Sequence, residues 1–374
     1  MKILMINLPY AGHTNPTLPL TAELVRRGHR VTYVNAESFR QKIGETGADF
    51  VPYRDFPTEL SDQEIKRRCF SAAFETAMGL ADDFDLLIYE MFFYPGEEIA
   101  RRKGIPCVRQ FSQPAWSERT WKAAPPVFRL SAGLIDRQVL PKKVARRLGL
   151  PHACLRDGVI RSTPELNIVY VPEAFQNCRE SFDARYLFMV PKPKTPDAAS
   201  DIPYDTMRAP VVYISLGSII SNRGFCRECI RAFGNKPVSV ILNTGKVPPA
   251  SLGRIPDNIR AYSFVPQVEV LRHADVFLTH CGMNSVNEAL TFGVPMVAMP
   301  FVNDQITNAE RITALGLGKR VRSFPSSGRE LYQAVREVYE RPEYKRSAVR
   351  MQEEIDRQAS WDQVIGRIME AARS

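Results

Sequence analysis

The chain reads as an α/β protein made of two tandem domains, each built on a parallel β-sheet. Three observations predict this. An apolar strand, a helix with a polar cap and a second apolar strand follow one another within the first 35 residues, which is the pattern of a right-handed βαβ unit. The same alternation restarts beyond residue 210, after a proline-rich break. A length of 374 residues also exceeds what one hydrophobic core usually organises.

The first strand is expected from Lys2 to Leu8, followed by the loop Pro9-Tyr10-Ala11-Gly12-His13-Thr14. A helix follows, with Asn15 as N-cap, Pro16 in the first helical position, and Arg26, Arg27 and Gly28 at its end. Arg30 to Asn35 is the next strand, and the apolar runs Leu86–Tyr89, Cys107–Phe111 and Asn167–Val171 continue the sheet. Pro191 to Pro210 carries prolines at 191, 193, 196, 203 and 210, which neither a helix nor a central strand accepts. The expected division is therefore 1–190, a linker at 191–210, and 211–374. Strands in the second half are expected at Val211–Ser215, Val238–Asn243, Ile259–Phe264, Asp275–Thr279 and Pro295–Met299. The stretch from Arg341 to Ser374 reads as helical, and Trp361, Val364, Ile365 and Ile368 at helical spacing point to a last helix packed back on the first domain.

Fifty basic residues against forty-one acidic give a net charge of +9. Clusters such as Arg67-Arg68 and Arg101-Arg102-Lys103 read as solvated helix faces, so no nucleic-acid partner is expected and membrane contact is not favoured. Seven scattered cysteines, an odd number, suit reduced thiols in the cytoplasm. The pair Cys226 and Cys229 falls on an expected helix with no second pair to complete a zinc site. The amino terminus opens on a strand rather than a leader peptide, and no apolar run approaches a bilayer span. Asp83-Phe84-Asp85 spells a D-x-D metal motif, but in the half without nucleotide-type loops.

Ligands of open parallel sheets bind beyond the carboxyl ends of the strands. In the second half those ends lead into Leu216-Gly217-Ser218, Thr244-Gly245, Val265-Pro266-Gln267, His280-Cys281-Gly282-Met283-Asn284-Ser285 and Asn303-Asp304-Gln305. Gly217 and Gly282 allow close approach of backbone N–H groups, and a helix starting near Met283 presents its positive end, as phosphate binding requires. Glu288, one turn on, is an acceptor for ribose hydroxyls; Asp304 and Gln305 are placed for sugar hydroxyls. Singly each has a plain structural reading: turn glycines, a satisfied histidine, a surface glutamate. Jointly they suit a nucleoside diphosphate carrying a sugar.

Across Val265 to Gly318 the letters Pro266-Gln267, His280, Gly282, Asn284, Ser285, Glu288, Ala289, Gly293, Pro295, Pro300, Asp304, Gln305, Asn308, Ala309 and Gly316 stand in a pattern that resembles the donor-binding signature of the macrolide-type and plant-type UDP-glycosyltransferases, family 1 of the glycosyltransferases. Gly12-His13-x-x-Pro16 and Leu216-Gly217-Ser218 resemble the family as well. The resemblance implies the GT-B fold, two Rossmann-like domains facing a cleft. It implies that His280 binds the diphosphate with Ser218, Asn284 and Ser285, that Glu288 holds the ribose, that Gln267 helps seat the base and that Asp304 with Gln305 grips the sugar. Thr244, Val265 and Gly282 join this donor set at the same edge. The co-substrate would be a UDP- or dTDP-sugar, with no cofactor and no metal required.

His13, at the end of the first strand, is the expected catalytic base of an inverting transfer, since histidine titrates near the working pH. The family orients this histidine with an aspartate after the fourth strand; here that position is Glu90, whose extra methylene changes the reach. Cys281 is a second departure, where relatives carry glycine or another small residue. Phe92, Phe93, Trp116 and Trp121 are candidates for lining an apolar or aromatic hydroxyl acceptor, although each could equally pack the core. The expected activity is hexosyl transfer to a small natural product, by a monomer or homodimer. The alternatives are a membrane-associated glycolipid transferase, a nucleotide-sugar 2-epimerase and a non-catalytic nucleotide-sugar-binding protein.

Overall fold

A computed structural model describes residues 1–373 apart from 82, 152–153, 163, 194–199, 218–221, 303 and 323–326, and gives backbone alone at 127, 131 and 135–137. The chain divides into two compact units, Met1–Pro191 with Gln358–Ser374, and Lys192–Arg357.

In the first unit the strands are β1 (Lys2–Ile6), β2 (Arg30–Asn35), β3 (Asp49–Pro52), β4 (Leu86–Glu90), β5 (Cys107–Phe111), β6 (Leu166–Val169) and β7 (Tyr186–Phe188). Among the described residues they form one sheet in the order β3-β2-β1-β4-β5-β6-β7, every pair parallel. The central strands are apolar on both faces because helices cover both, as a parallel sheet requires. The helices used below are α1 (Leu18–Arg26), α2 (Asp62–Met78), α3 (Pro95–Lys103), α4 (Glu118–Ala123), α5 (Pro126–Val139) and α6 (Lys142–Arg147). α2 opens on a reciprocal cap, in which the Ser61 hydroxyl accepts from Glu64 N–H and the Glu64 carboxylate accepts from Ser61 N–H.

The second unit carries β8 (Val211–Ser215), β9 (Ser239–Asn243), β10 (Ile259–Tyr262), β11 (Val276–Thr279), β12 (Met296–Ala298) and β13 (Gly318–Arg320). Their order is β10-β9-β8-β11-β12-β13, again parallel throughout. Its helices include α7 (Arg223–Phe233), α8 (Gln267–His273), α9 (Met283–Thr291), α10 (Asp304–Ala314), α11 (Gly328–Glu340) and α12 (Pro342–Arg357). α7 buries Cys226 and Cys229 against Phe225, Phe233 and Leu331, and burial pushes the Cys226 thiol up, so the pair is core.

Three expectations need correction. The loop after β1 is already helical from Ala11 to Thr14, because the Tyr10 carbonyl accepts from both His13 and Thr14 N–H, and Asn15 lies inside a helical segment rather than capping it. The proline-rich segment is not a free tether. Ile202 is buried, Tyr204 stacks on His273 at 3.8 Å, the Ser200 hydroxyl donates to Glu269, and Arg208 N–H donates to Ser239, all within the second unit. The stretch after Arg341 is two helices, α12 and α13 (Trp361–Ala371), the second capped by Ser360.

α13 belongs to the first unit. Val364, Ile365 and Ile368 close the cluster formed by Leu20, Leu24, Ile88, Val108 and Ile168, and Arg367 donates to the Ala184 carbonyl. Ile368→Ala should therefore destabilise the first unit by about 2–4 kcal/mol, the range for emptying a buried isoleucine site. Urea unfolding followed by tryptophan fluorescence measures this cleanly, since Trp116, Trp121 and Trp361 all lie in that unit. An unchanged midpoint would show that α13 is dispensable.

Candidate active site

In each sheet the order reverses once, between β1 and β4 in the first and between β8 and β11 in the second. The loops leaving those neighbours diverge and leave room beyond the strand ends. Sequence-predicted residues gather at both places.

In the first unit Glu90 ends β4 and is fully buried. Its Oε1 lies 3.1 Å from His13 Nδ1 and accepts from Ser112 Oγ at 2.8 Å, while Oε2 accepts from the Phe92 N–H at 3.0 Å. Ser112 Oγ is also 3.3 Å from His13 Nδ1. Both carboxylate oxygens are thus held by donors, and the longer side chain still reaches the imidazole. With Nδ1–H given to Glu90, Nε2 is the ring nitrogen that can take a proton. Asn7 lies beside the His13 backbone, its Nδ2, with two hydrogens to give, standing 3.3 Å from the His13 carbonyl, 2.9 Å from Thr17 Oγ1 and 2.7 Å from Tyr33 Oη.

Aromatic rings extend from this pair. Phe92 meets the His13 ring edge-on at 4.9 Å and Trp116 at 5.6 Å; Trp116 lies 5.3 Å from Trp121 and 6.0 Å from Phe128. Phe93 is not part of the row. It is fully buried and packs 5.9 Å from Phe70, because alternate residues after the strand point to opposite sides. Asp85 accepts from Lys2 N–H at 2.7 Å, so the D-x-D carboxylate closes the start of β1.

In the second unit His280 follows β11 and is buried, which pushes its pKa down to about 4 and leaves the ring neutral. Its Nδ1 has no hydrogen-bond partner among the described residues. The ring is enclosed by two glycines: a Cβ at Gly217 would stand 2.6 Å from Cε1, and one at Gly282 2.6 Å from Nε2. Their smallness first serves this side chain. Gly282 caps α9 without any side-chain bond to the first helical N–H groups, and Asn284 and Ser285 lie in that first turn. Cys281 sits at φ +69°, held by its N–H to Thr279 Oγ1 and by its carbonyl, which accepts from Asn308 Nδ2 at 3.0 Å.

Gln267 is the hub of the neighbouring network. Its Oε1 accepts from Tyr213 Oη at 3.0 Å, and its Nε2 donates to Ser285 Oγ at 3.1 Å and to Glu288 Oε2 at 2.5 Å. Burial raises the Glu288 carboxyl above the usual range, and the Gln267 bond offsets only part of that rise. Other members of the expected set are tied into loops. The Thr244 hydroxyl donates to the Val247 carbonyl at 2.6 Å with the Tyr262 carbonyl 3.1 Å away, the Val265 side chain is buried, and Gln305 Oε1 accepts from Phe301 and Val302 N–H. Asp304 starts α10, with Oδ2 3.4 Å from Asn308 Nδ2. Ser218 lies outside the described residues.

Sequence reasoning missed Ser112, Asn7, Tyr213 and Phe264. The first three sit on or just after strands, where polar letters between apolar ones were the available signal. Phe264, 81% exposed just ahead of Gln267, was counted as the end of a strand.

Three comparisons bear on the site. Residues 199–358 match the family model "UDP-glucoronosyl and UDP-glucosyl transferase". The chain is 34% identical over 356 residues to the NDP-glycosyltransferase YjiC of Bacillus licheniformis, covering 89% of this chain and 88% of that one. It is 31% identical to the oleandomycin glycosyltransferase of Streptomyces antibioticus, over 94% and 86% of the two. The solved glycotransferase of kitacinnamycin superposes with a TM-score of 0.85 at 29% identity, over 99% of this chain and 98% of that one.

The neutral state of His280 has a consequence for stability. Between the unfolded value near 6.5 and the folded value of about 4, the unfolded chain binds a proton that the native ring refuses. Stability contributed by the neutral ring is complete above pH 6.5 and is lost as pH falls towards 4, by about 3 kcal/mol in all. Denaturant titrations of wild type and His280→Gln at neutral pH and at about pH 4.5 should show that drop only in the wild type. Equal slopes would mean the ring is already charged in the native state.

Proposed function

The chain belongs to the UDP-glucoronosyl and UDP-glucosyl transferase family and is a GT-B glycosyltransferase, and on that premise we propose an inverting, metal-independent transfer of a sugar from UDP to a hydroxyl of a small apolar or aromatic acceptor. The observation that carries this reading is the His13–Glu90 pair at 3.1 Å beside a row of aromatic rings.

In this reading the acceptor ring stacks along Phe92 and Trp116 with its hydroxyl against His13. His13 Nε2 takes the hydroxyl proton as the oxygen attacks C1 of the sugar. The bond from C1 to the diphosphate oxygen breaks on the opposite face, and its electron pair leaves with the diphosphate. Glu90 orients the ring and faces the imidazolium as it forms, a role its buried, doubly anchored carboxylate supports. The uncapped N–H groups of α9 and the ring of His280 supply donors to the departing charge without a metal. Glu288, oriented by Gln267, accepts from the ribose; Phe264 offers its open face to the base; Asp304 and Gln305 meet the sugar.

Initial rates on one phenol and its thiol analogue test the proposal. His13→Ala should lower kcat for the phenol by about 10²–10⁴ while UDP affinity by calorimetry stays unchanged. The thiol, which ionises by itself at a lower pH, should recover part of the loss. Glu90→Gln should repeat the pattern more mildly, and excess EDTA should leave the wild-type rate intact. Near-full phenol activity in His13→Ala would place the base elsewhere, and loss of transfer in EDTA would remove the metal-free phosphate site.

A further inference from the structure

The positive charge of this chain is concentrated. Residues 119–147 carry eight Lys and Arg against the single acid Asp136, a net +7 within the chain's +9. Five of these cations, Lys122, Arg129, Lys142, Lys143 and Arg146, are exposed and have no acidic partner among the described residues; Arg119 and Arg147 pair with Glu180 and Glu75. The same segment holds Leu130 at 69% and Leu134 at 52% exposure, the only leucines so exposed among the described residues. Four residues apart on α5, they occupy one stripe of the helix. α5 packs against α2, so its place in the fold is settled without these two leucines.

A solvated helix face explains cations, and a packing face explains leucines. Neither explains both together at this density. An anionic leaflet matches both, with headgroup phosphates for the ammonium and guanidinium groups and acyl chains for the leucines. We propose that the segment carrying α5 and α6 docks the protein on an anionic lipid bilayer. The docking is interfacial: no helix among the described residues is long and apolar enough to cross a membrane. Phe128, on α5, touches Trp116 and Trp121, so the aromatic row begins beside the docking face. If the transfer reading above holds, that row is a route by which a lipid-dissolved acceptor reaches His13 without crossing bulk water.

Flotation of the full-length chain with phosphatidylcholine vesicles, and with vesicles rich in phosphatidylglycerol, tests the docking independently of catalysis. Binding is expected only to the anionic vesicles and should weaken as salt rises. Lys142→Gln with Lys143→Gln and Arg146→Gln should reduce partitioning by about two orders of magnitude, at roughly one per one to two charges removed. Leu130→Ser with Leu134→Ser should reduce it about tenfold. Both variants should keep the wild-type melting temperature and the wild-type rate on a water-soluble phenol, which separates a failure here from a failure of the transfer reading. Absence of binding, equal binding to both vesicle types, or undiminished binding of the leucine variant would overturn the proposal; the last would reduce the face to a general polyanion surface.

Discussion

Crossover connections in a parallel sheet are right-handed, so a sheet that grows outward from its middle in two directions puts the helices of the two directions on opposite faces. At the strand pair where growth changes direction, the two following loops part instead of stacking. In this chain that pair is β1 and β4 in one unit and β8 and β11 in the other. His13 and Glu90 meet because they leave the first pair, Gly217 and His280 because they leave the second. No local propensity brings residue 13 to residue 90. Strand order does, and the chemistry is only as secure as the register that holds Met5 opposite Ile88 and Tyr213 opposite Phe277.

This explains what was legible in the sequence. Central strands, buried on both faces, are written as unbroken apolar runs, and each expected strand is found within two residues of its place. The strands that escaped notice, β3, β7 and β13, all lie at sheet edges. An edge strand pairs on one side only, so β3 tolerates Pro52 and β13 tolerates Lys319 and Arg320, and neither reads as a strand. The site was legible where loops carry several unusual letters close together, as from His280 to Ser285. It was not legible where one polar side chain acts across the sheet. Ser112 bridges to Glu90 from a neighbouring strand end, and Tyr213 reaches Gln267 from inside a core strand; each is a single letter whose partner is decided by topology.

The two glycines around His280 had a different meaning from the one their letters suggested. Read alone, they were room for backbone to approach a phosphate. In the structure they are first room for an imidazole, which fills the space on both sides and is kept neutral by its own burial. Cys281, between His280 and Gly282, adopts a left-handed conformation that side chains avoid, at a cost of about 1–2 kcal/mol, and is pinned there by Thr279 and Asn308. A strained residue locked by two anchors holds the start of α9 in one place, which suits a site whose donors must be aimed before charge develops.

The return of α13 to the first unit has a consequence for how the protein comes into being. During synthesis the first 191 residues leave the ribosome with Leu20, Ile88 and Ile168 still lacking the side chains that cover them. The second unit, lying between, has its whole core in hand before α13 is made. The half made first is therefore completed last: for roughly 10–40 s of remaining elongation, at ordinary rates, its core cluster lacks the side chains of α13. A nascent chain stalled before residue 361 therefore exposes aliphatic surface of the kind that chaperones recognise.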